Sequence, residues 1–146
     1  MKKNNNTNDA PDENMSGFLG TDRRPLPEII RADEKELKKL NLTNRIIAAR
    51  MTWFRDAAQN AFGDFVRVAP GFEAACEVAR GFLPCPFGDP GLHRKTTVVV
   101  RNLRLKTEIT FSDLNIHCIA AHGFYEGQGS PFRLEPAELA RILEIK

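Results

Sequence analysis

The sequence is poor in cysteine, in net charge and in long apolar runs, and each shortage removes a class of protein. Three cysteines, Cys76, Cys85 and Cys118, are too few for a disulfide scaffold, and odd in number. No C-x-x-C pair and no G-x-S-x-G elbow occur, so neither a dithiol centre nor a hydrolase nucleophile is written in its usual spacing. With 21 Lys and Arg against 19 Asp and Glu, the formal charge of +2 does not by itself point to nucleic acid or to an acidic partner. No apolar run approaches the roughly 20 residues of a membrane span. The two lysines of the opening MKKNNNTNDAPDENMSG precede no apolar stretch, so export is not expected, and the closing ILEIK carries no lipidation signal. The expected setting is a reducing cytoplasm, without a membrane.

What is present is the composition of a globular protein, 42% hydrophobic and 27% charged. Residues 1–27 read as a disordered tail: Asn4, Asn5, Asn6, Asn8 and Asn14 dominate it, large apolar residues are sparse, and Pro25 and Pro27 close it. Residues 28–146 read as one α+β domain. A short helix is expected from Asp33, as N-cap, to Asn41. Thr43 then caps a long amphipathic helix whose apolar positions run from Ile46 and Ile47 through Trp53 and Phe54 to Phe62 and Phe65. The stretch 72–80 fits either periodicity, and its alanines and the following Gly81 favour a helix. Residues 82–95, rich in proline and glycine, read as irregular. Residues 96–111 form an antiparallel hairpin or small sheet. Ser112 or Asp113 opens a helix that ends at His122 before Gly123, and Pro136 opens the last one.

Four groupings of residues carry candidate chemistry. Cys85, His93, His117 and His122 are thiol and imidazole donors of the kind that hold zinc. Residues five apart on an ideal helix diverge by about 140°, so convergence of His117 and His122 calls for a loosened last turn. Cys118 with His122 is the rival pair. Arg94, Lys95, Arg101, Arg104 and Lys106 make the hairpin basic, suited to tracking phosphates or to keeping a sheet edge unpaired. Gly123–Ser130 resembles a phosphate cradle in composition, yet it follows a helix instead of leading into one. It reads instead as a packed loop in which Tyr125, Glu126 and Arg133 are candidate binding groups. Finally, Cys85 beside His93 or His117 has the residue types of a nucleophile and its base.

No residue is assigned a catalytic role, and the reading is a small binding module, zinc-stabilised through Cys and His ligands, for a protein or nucleic-acid partner. The alternatives are a nucleic-acid-associated protein using the basic hairpin, and a small enzyme with His117 or His122 as general base and Glu126 as its charge partner.

Overall fold

The computed structural model describes residues 15–146, and the expectation for residues 1–14 lies outside them. The fold is α+β, with a four-stranded antiparallel sheet in the order β1-β2-β3-β4. The strands are β1 (Val66–Ala69), β2 (Phe72–Pro84), β3 (Leu92–Asn102) and β4 (Thr107–Ser112). Helices α1 (Ser16–Leu19), α2 (Leu26–Lys39) and α3 (Asn44–Ala58) precede the sheet, and α4 (Asp113–His122) and α5 (Pro136–Ile142) follow it. No helix among the described residues is long and apolar enough to cross a membrane.

The packed chain begins earlier than the expected boundary at residue 28. Met15 and Leu19 are buried with Ile29, Leu114 and Phe124. The segment after α1 lies directly on the glycine-rich loop: Thr21 N–H donates to the Gln128 carbonyl at 2.9 Å, and Gly127 N–H to that of Phe18 at 2.8 Å. A Cβ on Gly127 would stand 2.3 Å from the Leu19 carbonyl oxygen, so this approach requires glycine. Sparse apolar composition misled because Met15 and Leu19, with Phe18 and Leu26 packed beside them and backbone hydrogen bonds to the loop, hold the segment in place.

Helix α2 starts at Leu26, not Asp33. Pro27 occupies its first turn, where a missing N–H breaks no bond, and Glu28 and Lys38–Lys39 suit the helix dipole. Asp33 is therefore a buried mid-helix acid instead of an N-cap. Thr43 does cap α3, its Oγ1 accepting from the Ile46 N–H at 3.2 Å. That helix ends at Ala58 and a 3-10 turn follows, so the apolar periodicity ran too far. Phe62 is 94% exposed, and Phe65 lies under the Arg101 guanidinium, 3.5 Å from ring centre to Cζ.

The ambiguous stretch 72–80 is a strand, and the helical expectation is overturned. Phe72, Ala74 and Cys76 alternate onto the core face, opposite Asn102, Val100 and Val98 of β3. Gly81 has φ +96 and sits where the β2–β3 register slips between Ala79 and Phe82, so it serves a bulge and not a helix end. The expected irregular stretch 82–95 shrinks to 85–91, because β2 continues to Pro84, paired with Leu92. Ile47, Met51, Phe54 and Ala58 of α3, Ile116 and Ile119 of α4, and Leu139 of α5 with Leu143 just after it complete the core with Phe111 of β4. The β3–β4 turn is held by Asn102, whose Oδ1 accepts from the N–H groups of Arg104 and Leu105.

Strands β2 and β3 outrun their neighbours. The β1 pairing ends at Ala74 and the β4 pairing at Thr97, so Val78–Pro84 and Leu92–Thr96 form a two-stranded arm. The loop at its tip folds back onto α4, where Cys85 and Phe87 join Leu114, Cys118 and Phe124. That return places the site.

Candidate metal centre

Helix α4 is built by a full capping box. Ser112 Oγ accepts the Asn115 N–H at 3.0 Å, while Asn115 Oδ1 accepts the Ser112 N–H at 2.9 Å. The helix closes at Gly123 (φ +65), with the Phe124 N–H on the Cys118 carbonyl at 3.1 Å. His117 and His122 therefore sit on a regular helix to its last residue. The loosened turn is absent, and the long imidazole arms and the approaching loop bring the two rings within 5.5 Å, centre to centre.

The arm's tip supplies the other donors. A turn closed by the Gly88 N–H on the Cys85 carbonyl, 3.0 Å, brings Cys85 and Asp89 to the same side. One Asp89 oxygen, Oδ2, is 3.0 Å from Nε2 of His117 and 3.0 Å from Nε2 of His122. Cys85 Sγ is 3.5 Å from the same His122 nitrogen. One donor atom from each of Cys85, Asp89, His117 and His122 lies within 4.8 Å of every other. Phe87 fixes the His122 ring by stacking on it at 4.0 Å, tilted by 14°.

Asp89 was not among the expected ligands. It is the lone acid in an otherwise basic stretch, and that isolation is the signal that could have found it. His93 stands just outside the group, its ring centre 4.3 Å from that of His117. Its Nε2 is buried without a hydrogen-bond partner, and burial, then the neighbouring His117, disfavours its protonation. Cys118, the rival ligand, is buried beside Cys85 but outside the donor group, and burial pushes its thiol well up.

Among the described residues the Cys85 thiol meets His122 and not the expected His93 or His117, and that pairing does not have the form of a thiol–imidazole relay. In a Cys–His–Asp relay the acid holds one ring nitrogen and the thiol faces the other. Here Asp89 and Cys85 both address Nε2 of His122. Burial, then the hydrogen bond to Asp89, also raises the Cys85 thiol, the opposite of an activated cysteine.

The other candidate residues are dispersed. Arg101 is bridged to Glu73 and Glu108, and Arg104 to Glu144, so two of the five hairpin cations are neutralised by pairing. Tyr125 donates to Asn44 Oδ1 at 2.7 Å from a fully buried position. Arg133 forms a two-pronged ion pair with Asp33, 2.6 and 2.8 Å, and also bonds the Glu126 carbonyl and Glu135. Glu126 is buried, with its carboxylate oxygens on Ser130 and Asn115. Glu126 is not within hydrogen-bonding reach of His117 or His122, whose imidazoles are turned to Asp89.

Burial raises the Glu126 carboxyl above its ordinary range. A carboxyl raised on folding contributes stability below its unfolded value and loses it as pH rises through its folded value. Glu126→Gln, which keeps an acceptor for Asn115, should therefore flatten the decline in stability above the usual carboxylate range. Urea melts across a pH series test this, and an unchanged profile counts against it.

No family model, no curated protein and no solved structure matches this chain.

Proposed function

We propose that the protein is a small binding module whose arm is pinned to α4 by a zinc ion held by Cys85, Asp89, His117 and His122. The single observation that carries this reading is the convergence of four donors from two separate elements. Zinc arms of about 2.0–2.3 Å set donors roughly 3.3–3.8 Å apart at the corners of a tetrahedron. The three closest donor pairs, 3.0–3.5 Å apart, need a few tenths of an ångström of expansion, and the remaining pairs, all within 4.8 Å, must draw in by up to about 1 Å. A thiolate, two imidazoles and a carboxylate suit zinc and disfavour calcium or magnesium, which take oxygen donors. Four protein donors fill the tetrahedron, which is the pattern of a structural site and not of a catalytic one with an open position.

The role of such an ion follows from the arm, which reaches past β1 and β4 and, among the described residues, has no strand on either side. A crosslink from its tip to α4 would hold it against the body of the protein. Tag-free protein should therefore contain about one zinc per chain by elemental analysis. Cobalt substitution should give the absorption of a tetrahedral site with one thiolate. At free zinc about 100-fold above the dissociation constant, the folded state gains about 2.7 kcal/mol, so a chelator should lower Tm accordingly. Asp89→Ala should abolish both the cobalt spectrum and the chelator effect. Protein that neither contains zinc nor shifts in Tm on adding it would overturn the reading.

A further inference from the structure

On another side of the arm lies a cleft of about 410 Å³ that the metal site does not use. Its walls are apolar: Phe18 of α1, Ala79 and Leu83 of β2, Leu114 of α4, and Pro131 and Phe132 of the following loop. The volume falls in the range of about 300–1,000 Å³ that small-molecule sites occupy. Leu83 and Phe132 remain part-exposed at its mouth, so apolar surface there is left in water.

The charge around the cleft is one-sided. Arg94 and Lys95 are exposed residues that line it, and neither forms an ion pair among the described residues. Arg101 and Arg104 are each answered by glutamates, whereas Arg94 and Lys95 stand at this cleft without an acidic partner, the Arg94 guanidinium lying 5.8 Å from the Phe82 ring centre; Lys106, also without an ion pair among the described residues, lies away from it at the β3–β4 turn. The acid in the cleft wall is Glu126, and it does not answer those cations. It is buried, bonded to Ser130 and Asn115, and biased by burial towards its neutral form. Its backbone has φ +70, a region that favours glycine, and the Arg133 guanidinium on its carbonyl helps to hold it there.

We propose that this cleft binds a soluble amphipathic anion, with its apolar body against Phe18, Leu83, Leu114 and Phe132 and its carboxylate or phosphate head at the rim that Arg94 and Lys95 make positive. A second copy of the arm is a poor occupant, because it would bring the same unanswered cations together. A free molecule, and not a bilayer, fits a site of this volume.

The probe is decanoate, below the concentration at which it forms micelles, titrated into the full chain by calorimetry and by amide chemical shifts. Decanoate should bind one-to-one and shift the amides of residues 94–97, 126–130 and 132. Decyltrimethylammonium, with the same tail and the opposite charge, should bind at least about tenfold more weakly, and butyrate, with too little apolar body, should not saturate. The double variant Arg94→Glu/Lys95→Glu alters exposed residues and should keep the parent's melt. It should lose decanoate by at least about tenfold and gain the cationic amphiphile. Ala79→Trp, which fills the cleft from an exposed strand position, should block both ligands. Absence of saturable decanoate binding, equal binding of the two amphiphiles, or binding to anionic vesicles without binding of free decanoate would each overturn the proposal.

Discussion

Arg133→Ala is expected to cost about 3–5 kcal/mol of folding stability, the effect of breaking a buried ion pair by removing one partner. Both side chains are inside: that of Arg133 is 8% exposed and that of Asp33 is 7%. The guanidinium spans both oxygens of Asp33 and also covers the Glu126 carbonyl. Truncation therefore leaves a carboxylate in a site that water does not easily reach, together with a buried carbonyl. Against a typical domain stability of about 5–15 kcal/mol this is a large fraction. The pair itself need not be strongly stabilising, because its own desolvation offsets much of its attraction. Replacing both residues, as Asp33→Leu with Arg133→Met, should accordingly recover most of the loss. Urea melts of Asp33→Leu, Arg133→Met and their double variant close a cycle with the parent, and Arg133→Ala is measured beside them. A cost below about 1 kcal/mol for Arg133→Ala would show that the pair is solvated.

That ion pair marks the limit of what the residues announce locally. Thr43, Ser112 and Pro136 begin their helices as their chemistry dictates, because a cap acts within three residues of itself. The hairpin at 96–111 was legible for a similar reason: alternation and strand propensity are short-range. Asp33 and Arg133 are 100 positions apart, and nothing around Asp33 distinguishes a buried helical acid from an N-cap. The stretch 72–80 failed because alanine fits both periods; its strand state is imposed by β3 alongside and by α3 above, whose close packing small side chains permit. Three of the four donors in the candidate centre could be singled out by residue type. Asp89 could not be singled out by type, because an acid between Gly88 and Pro90 has every local mark of a turn residue; only its isolation among basic residues set it apart, and the fold-back of the arm turns it towards the histidines.

The neighbours Trp53 and Phe54 test the packing at the centre of α3, and they should respond very differently. Phe54 is fully buried and meets Phe72 of β2 edge-on, with ring centres 5.0 Å apart. Its ring also meets Trp53 at 5.1 Å and has the Arg50 guanidinium 4.7 Å from its centre. Phe54→Ala would open a cavity between helix and sheet that neither element can close, at a cost of about 3–5 kcal/mol. Trp53 is 43% exposed. Its removal forfeits the contact with Phe54 and a cation–π approach from Arg50, 5.2 Å from the ring, together about 0.5–1.5 kcal/mol. Helix periodicity alone requires only that one of the pair face inward, and which one depends on the register of α3 over β2. Urea unfolding followed by far-ultraviolet circular dichroism, so that loss of the sole tryptophan removes no signal, should give midpoints well apart. Equal costs, or a larger one for Trp53→Ala, would mean that α3 is rotated about its axis relative to the sheet.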